Sequence, residues 1–248
     1  AASFDYEAKS SYSVRVRSTD QGGLFTEKVF TIGIINLGEA TPDLQQGLLA
    51  HFHLDGDALD NSGNERHGIG SNVTATHDRF GNENAAILFN GTNASITVPH
   101  HESFNSLPLS MSMWFQTTAT TGAGGLVGKY QAAGWNGYQV SMGSGGTVWP
   151  WYVMGRGRDV IGDYDVNGDN NPAFRSAPLN DGEWHHVVFT VDASGGALFV
   201  DGVLHSTKEW RGEPTVVTNT LPLFIGRYFG DVTGYFNGAI DDVRLYNR

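Results

Sequence analysis

The sequence predicts an all-β protein. Short runs in which apolar and polar residues alternate recur along the chain, and the clearest are residues 184–192 (WHHVVFTVD), 197–203 (ALFVDGV) and 238–248 (GAIDDVRLYNR). Such alternation, rich in Val, Phe and Tyr, is typical of half-buried strands in an antiparallel sheet. Gly, Asn and Asp interrupt the runs, and no segment of the sequence has the period of an amphipathic helix. We therefore expect antiparallel sheets.

A β-hairpin is predicted at the amino terminus. Residues 12–18 (YSVRVRS) and 28–35 (KVFTIGII) alternate on either side of residues 20–23 (DQGG), which have the composition of a tight turn. Two strands alone are marginally stable in water, so this hairpin needs support from further chain. Residues 41–47 (TPDLQQG) form a predicted linker, and the short apolar runs that follow predict one β-sandwich over residues 48–248.

Composition limits the classes of partner. The chain of 248 residues has a formal net charge of −11, which argues against nucleic acid and anionic membrane surfaces. No run approaches the roughly 18 apolar residues of a membrane-spanning helix, so we expect no membrane insertion. The sequence has no cysteine, which excludes disulfides and thiolate metal sites and, for an extracellular protein, favours a bacterial source. The amino terminus lacks the pattern of a signal peptide, so we expect the chain to be one part of a larger protein.

The strand-like runs occur together with three further segments in a characteristic order. These are residues 52–64 (FHLDGDALDNSGN), 87–91 (ILFNG) and 109–115 (LSMSMWF). In this order they resemble the laminin-G-like family of the concanavalin A-like jelly rolls, over residues 44–248. The resemblance implies a two-sheet antiparallel jelly-roll sandwich, here with an extra N-terminal β-hairpin. It leaves function open, because this fold hosts lectins, adhesion modules, accessory domains of polysaccharide-degrading enzymes and enzymes themselves.

Residues 1–40 resemble the last two strands of a cadherin repeat. The resemblance rests on residues 4–7 (FDYE), the YSVRVR core and residues 18–20 (STD). It implies that Glu7 and Asp20 correspond to calcium ligands of that family. The linker motif that would complete such a site is degraded to INLGEA in residues 35–40. This segment is expected to be a partial repeat, either without a role of its own or as a borrowed pair of strands.

Residues 163–171 (DYDVNGDNN) predict a calcium-binding loop. Oxygen-bearing side chains alternate at Asp163, Asp165, Asn167 and Asp169, and a glycine stands at the sixth position, as in the first half of an EF-hand loop. This spacing lets a turning backbone direct several hard oxygens at one cation. The twelfth position is Phe174 instead of a bidentate glutamate. A polar surface loop is therefore the alternative interpretation.

The family resemblance implies a second calcium site. In the laminin-G-like family, an aspartate of the last strand binds a structural ion, and Asp241 matches it here. Backbone oxygens near Asp55 and Gly91 would be its partners, because jelly rolls bring their first and last strands together. Alternatively, Asp241 only accepts hydrogen bonds from a turn.

Aromatic residues in glycine-rich segments predict a glycan-binding surface. Aromatic rings stack on the CH faces of sugars, and sugar hydroxyls need polar partners. The candidates in residues 129–151 are Lys129, Trp135, Tyr138, Trp149 and Trp151, and those in the loop of residues 227–236 are Arg227, Tyr228 and Asp231. The resemblance implies that this loop lies at the same rim as the Lys129 segment. Trp149 and Trp151 share one strand face, so a buried sheet face explains them equally well.

No catalytic motif is present in the sequence. Glucanases of this fold carry Glu-x-Asp-x-x-Glu on one strand, and the sequence lacks this pattern. We therefore expect a non-enzymatic, calcium-stabilised, extracellular carbohydrate-binding module of a large bacterial surface or secreted protein. The alternatives are a calcium-dependent adhesion module that binds another surface protein and an accessory domain of a polysaccharide-degrading enzyme.

Overall fold

The computed structural model of the chain confirms the all-β class. Among the residues that the structure describes, the regular elements are strands and the 3-10 helix Glu102–Phe104. The residues that the structure describes are 11–33, 43–120, 124–143, 145–155, 160–161, 174–210, 212–228 and 234–248. The chain divides into two compact units, Ala1–Leu44 and Gln45–Arg248.

The first unit contains the predicted hairpin. Strands β1 (Ser11–Thr19) and β2 (Phe25–Gly33) pair antiparallel, with Ser11 opposite Gly33 and Thr19 opposite Phe25. The Asp20 side chain closes the turn, because its Oδ1 accepts hydrogen bonds from the backbone N–H groups of Gly22 and Leu24, each at 2.9 Å. Aspartate is favoured in turns for this kind of bond to the nearby backbone.

The second unit is a sandwich of two antiparallel sheets. Its strands are β3 (Leu48–Phe52), β4 (Ile69–Ser71), β5 (Thr74–Thr76), β6 (Ala86–Asn90), β7 (Ser95–Val98), β8 (Leu109–Gln116), β9 (Gly124–Gln131), β10 (Asn136–Met142), β11 (Val148–Met154), β12 (Val160–Ile161), β13 (Trp184–Asp192), β14 (Gly195–Val200), β15 (Val203–Lys208), β16 (Leu223–Ile225) and β17 (Asn237–Tyr246). The seven-stranded sheet has the order β12-β11-β10-β9-β16-β7-β4, and the eight-stranded sheet has the order β15-β14-β13-β8-β17-β6-β5 with β3 paired to β17.

Alternating side chains build the core between the sheets. Strand β8 buries Leu109, Met111, Met113 and Phe115 completely, while the intervening residues stay partly accessible. Because successive strand residues point to opposite faces, strands β8, β10 and β13 each contribute alternate residues to a shared hydrophobic cluster. The two sheets are joined by this cluster, as the jelly-roll interpretation predicts.

Gly226 allows the chain after β16 to pass close to the core. Its φ angle is +77°, and a Cβ atom placed on it would lie 2.0 Å from Cδ1 of the buried Phe89 ring. The backbone N–H of Gly226 donates to the carbonyl of Leu126 at 2.9 Å, which fixes this close approach. The segment that follows is therefore held against the seven-stranded sheet.

We expect Gly226→Ala to destabilise the second unit more than Gly202→Ala. Gly202 has nearly the same φ, +78°, but nothing lies within 4 Å of its Cβ position, so only the conformational penalty of about 1 kcal/mol applies. At Gly226, overpacking adds about 1–3 kcal/mol. Urea unfolding followed by tryptophan fluorescence measures the difference, and equal losses in the two variants would contradict this account of Gly226.

Candidate functional site

A cluster of aromatic side chains covers one end of the outer face of the seven-stranded sheet. Strand β11 directs Val148 and Tyr152 into the core, so Trp149 and Trp151 point outward. The outward residues pack with Tyr130 of β9 and with Tyr228, which follows β16. We call the surface formed by Tyr130, Trp135, Trp149, Trp151, Val153 and Tyr228 the aromatic face.

Trp151 is the centre of the aromatic face. It is only 6% exposed, and its ring lies 4.9 Å from Trp149, 5.5 Å from Tyr228 and 5.7 Å from Tyr130, measured between ring centroids. Trp149, Tyr228 and Trp135 surround it and are half-buried. The three partly exposed rings therefore form a rim that is backed by a packed aromatic layer. A rim of this kind keeps its ring orientations without a ligand.

Small residues on the neighbouring strands make room for the rings. Ser141 of β10 is the register partner of Trp149, and on the other side of β10 it pairs with Gly125 of β9. A Cβ atom on Gly125 would lie 2.0 Å from the carbonyl oxygen of Arg227, so the main chain of Arg227 crosses directly over β9. This crossing brings Tyr228 into contact with the two tryptophans.

Three buried polar atoms accompany the rings. Gln139 and Ser141 are 1% and 0% exposed, and Gln139 Nε2 donates to the carbonyl of Arg227 at 3.4 Å. Within the described part of the chain, Gln139 Oε1, Ser141 Oγ and Trp149 Nε1 have no hydrogen-bond partner. Buried polar atoms are nearly always paired, with protein, with water or with a ligand. These three atoms have no accessible surface, so only water enclosed beneath the rings could bond to them.

Arginines flank the aromatic face at two positions. Phe174 points into the core, while the guanidinium carbon of the next residue, Arg175, lies 5.3 Å from the Trp149 ring centroid. The guanidinium carbon of Arg227 lies 5.0 Å from the Phe224 ring and 5.5 Å from the Tyr235 ring. Both cations therefore rest against aromatic rings, an arrangement that stabilises a partly desolvated guanidinium.

The prediction that Tyr138 and Lys129 contact a ligand is wrong. The two residues are register partners on β10 and β9, both side chains point inward, and both are 0% exposed. The Tyr138 hydroxyl donates to the carbonyl of Phe104 at 2.9 Å, and burial raises the pKa of Tyr138 well above its usual value. The remaining predicted aromatic residues, Trp135, Trp149, Trp151 and Tyr228, are brought together by the structure.

Lys129 organises three loop segments from inside. Its ammonium group donates to Asn105 Oδ1 at 2.8 Å, to Asn219 Oδ1 at 2.7 Å and to the carbonyl of Asn219. Asn219 Nδ2 donates in turn to the carbonyl of Asn136 at 2.9 Å, next to Trp135. Because burial disfavours the charged form, the pKa of Lys129 is lowered to about 8.

We expect the free energy of unfolding to increase with pH above about pH 8 because of Lys129. The unfolded chain keeps this proton up to its ordinary pKa of 10.5, whereas the folded chain releases it near 8. Between these values the unfolded state binds more protons, so raising the pH favours the folded state. Urea unfolding of the wild type and of Lys129→Met over this range measures the effect. The same pH dependence in both proteins would refute it.

The predicted calcium site around Asp241 is not assembled. Asp241 is 4% exposed and its Oδ2 lies 2.5 Å from Nη1 of Arg79, so a guanidinium already neutralises this carboxylate. Burial nevertheless raises the pKa of Asp241 to about 6. Asp55 lines the same cavity of about 550 Å³. Gly91 does not line this cavity. Its backbone N–H donates to the carbonyl of Phe236, which is five residues from Asp241, or about 16 Å along a strand.

The next residue, Asp242, is also engaged. Its Oδ1 lies 2.7 Å from His51 Nε2 and 3.1 Å from Arg244 Nη2. Burial opposes ionisation here, but the His51 hydrogen bond and the charges of Arg244, His51 and Arg79 lower the pKa of Asp242. Among the described residues, no group of three or more His, Asp or Glu side chains has an arrangement suited to a metal ion. No motif indicated the pairing of Asp241 with Arg79, because Arg79 lies 162 positions earlier in the chain.

Six predicted site residues lie outside the described part of the chain. They are Glu7 of the cadherin-like segment, Asp163, Asp165, Asn167 and Asp169 of the predicted calcium loop, and Asp231 of the second glycan-binding loop. Calcium binding by residues 163–169 therefore stays a prediction.

The family of the chain follows from its sequence profile. Residues 90–248 match the laminin G family described as the concanavalin A-like lectin/glucanases superfamily, and the chain belongs to this family. The match confirms the resemblance to laminin-G-like domains over these residues. The cadherin-like interpretation of residues 1–40 stays a prediction.

Solved structures with the same fold include carbohydrate-binding proteins. Domain 4 of AbnA, a GH43 extracellular arabinanase from Geobacillus stearothermophilus, was solved with arabinotriose; it is 23% identical, with a TM-score of 0.59, and the match covers 80% of this chain and 91% of that one. Trypanosoma rangeli sialidase in complex with sialic acid is 16% identical, with a TM-score of 0.57, and the match covers 82% of this chain and 31% of that one. The binding domain of botulinum neurotoxin serotype D is 13% identical, with a TM-score of 0.57 and coverages of 82% and 49%.

These similarities establish the shared fold. A search of curated protein sequences found no significant match. No helix in the described part of the chain has the length and apolarity needed to span a bilayer.

Proposed function

We propose that the second unit is a non-catalytic carbohydrate-binding module and that the aromatic face is its binding surface. One observation carries the proposal: half-buried rings of Trp149, Tyr228 and Trp135 surround a packed aromatic centre, and the guanidinium group of Arg175 lies against the Trp149 ring. Rings and hydrogen-bonding groups in one place are what a sugar requires, because pyranose rings have apolar CH faces and polar edges.

Binding would use rings that are already in position. Trp149 and Tyr228 lie 6.3 Å apart with an angle of 33° between their planes, so they can contact neighbouring parts of one saccharide chain. Contacts with Trp151 hold both rings, so little side-chain entropy is lost when a ligand arrives. Arg175 is the polar group at this edge of the face, and it would bond to sugar oxygens.

The distribution of carboxylates supports a non-catalytic role. Canonical glycosidases hold two Asp or Glu residues on either side of the bond that they cleave. Within the seven-stranded sheet as described, no strand position is Asp or Glu. The adjacent carboxylates of Asp241 and Asp242 belong to the other sheet and are paired with Arg79, His51 and Arg244. Neither arrangement provides an acid and a base across the aromatic face.

The proposed setting is a large extracellular protein of bacterial origin, in which this module binds a polysaccharide. An accessory domain of a polysaccharide-degrading enzyme would use the same surface in the same way. Domain 4 of the arabinanase AbnA has the same fold, which is consistent with an accessory role of this kind. Calcium is proposed only for residues 163–169, because Arg79 supplies the positive charge next to Asp241.

We expect Trp149→Ala to weaken glycan binding about tenfold or more, because a tryptophan that contacts the ligand commonly contributes at least about 1.4 kcal/mol to binding. Trp184→Ala is the matched control, since Trp184 is a half-buried tryptophan of β13 in the other sheet. A glycan array followed by titration calorimetry on the bound saccharides measures both variants.

Thermal unfolding of the two variants distinguishes lost binding from lost folding. Equal glycan affinity of wild type and a folded Trp149→Ala variant would contradict the proposed surface. Cleavage of any bound oligosaccharide by the wild-type protein would contradict the non-catalytic role.

A further inference from the structure

We infer that the glycan held by the aromatic face is acidic, with carboxylate or sulfate groups that bind Arg175 and Arg227. This inference rests on the proposed function and specifies the class of ligand. It comes from three observations on the second unit: the place of Arg175, the place of Arg227, and the distribution of carboxylates over the two sheets.

Arg175 lies at the Trp149 end of the aromatic face. The backbone N–H of Ser176 donates to the carbonyl of Val148 at 2.8 Å, so the segment that carries Arg175 runs beside the start of β11. Phe174 fills the core on the inner side, and Arg175 is therefore directed to the outer side, where it meets the Trp149 ring. A guanidinium in this position adjoins any sugar that stacks on Trp149.

Arg227 lies on the other side, next to Tyr228. Its guanidinium carbon is 5.0 Å from the Phe224 ring and 5.5 Å from the Tyr235 ring, and its main chain is bonded to Gln139 below it. Guanidinium groups bind carboxylates and sulfates through two parallel N–H bonds, and stacking on a ring orients the plane for this. A guanidinium has five N–H donors, so each arginine can keep a protein partner and still bind a ligand oxygen.

The distribution of charge between the two sheets is unequal. The chain has 26 acidic residues, yet the described strands of the seven-stranded sheet carry none. In the eight-stranded sheet, Asp192, Asp241 and Asp242 are strand residues.

Carboxylates on the described strands of this sheet would have little effect on a neutral sugar. For an anionic sugar, by contrast, each nearby carboxylate would be repulsive. The net charge of −11 does not prevent such binding, because at physiological ionic strength charges more than about 8 Å away are largely screened. The arginines in contact with the ligand then determine the sign of the interaction.

Titration calorimetry with matched pairs of saccharides tests the inference. Oligogalacturonate and its methyl ester have the same backbone with and without carboxylate charge, and dextran sulfate and dextran form the corresponding pair for sulfate. We expect the charged member of at least one pair to bind about tenfold more tightly than the neutral one. The pair that shows the preference identifies the anionic group.

Variants locate the preference on the aromatic face. Arg175→Gln and Arg227→Gln should each reduce the charged-to-neutral affinity ratio several-fold, and Arg175→Lys should restore only part of it, because lysine lacks the planar fork. Arg248→Gln is the matched control: Arg248 also stacks on a ring, 4.8 Å from that of Tyr246 in the other sheet, and its loss changes the net charge equally.

The outcomes separate this inference from the proposed function. Equal affinity for charged and neutral members, with binding still lost in Trp149→Ala, would overturn the inference and leave the proposed function standing. A charge preference that persists in both arginine variants, or falls equally in Arg248→Gln, would also overturn the inference. Failure to bind any glycan, neutral or charged, would overturn both.

Discussion

The structure depends on the alternation of side chains along β10 and β11 of the seven-stranded sheet. On β11, Val148 and Tyr152 enter the core while Trp149 and Trp151 face outward, so a stretch of seven residues supplies both the sandwich interior and the aromatic face. A shift of one residue in register would exchange the two sets and bury the wrong rings. The core that fixes the register of β10 and β11 therefore also fixes the geometry of the candidate site.

The fold was largely predictable from the sequence, because alternation and turn residues are local signals. The strands β8, β13 and β17 and the N-terminal hairpin were all recognisable in this way. The site was harder to predict. Tyr138 and Trp149 both occur in glycine-rich segments of similar composition, yet one is in the core and the other is on the rim. Which face a residue occupies depends on register with a neighbouring strand, and composition does not contain that information.

Long-range pairing explains the other differences. Asp241 was expected to have a cation, and it has one, but the cation is the guanidinium of Arg79 from a distant loop. Lys129 was expected at a rim, but amide and carbonyl oxygens of Asn105 and Asn219 provide enough partners for its ammonium group inside. In both cases a charged residue can be buried because it is paired, and its partners are distant in sequence. Neither set of partners forms a motif.

The backbone of Trp135 shows what the buried lysine network makes possible. Its φ angle is +55°, a left-handed conformation that non-glycine residues seldom adopt and that costs of order 1–3 kcal/mol. The adjoining Asn136 is tied to Thr218 and Asn219, and through Asn219 to the ammonium group in the interior. The strain in this turn is thus sustained by amide contacts that lead from the surface to the buried lysine. Changes at the interior lysine and asparagine would consequently reorient an outer ring.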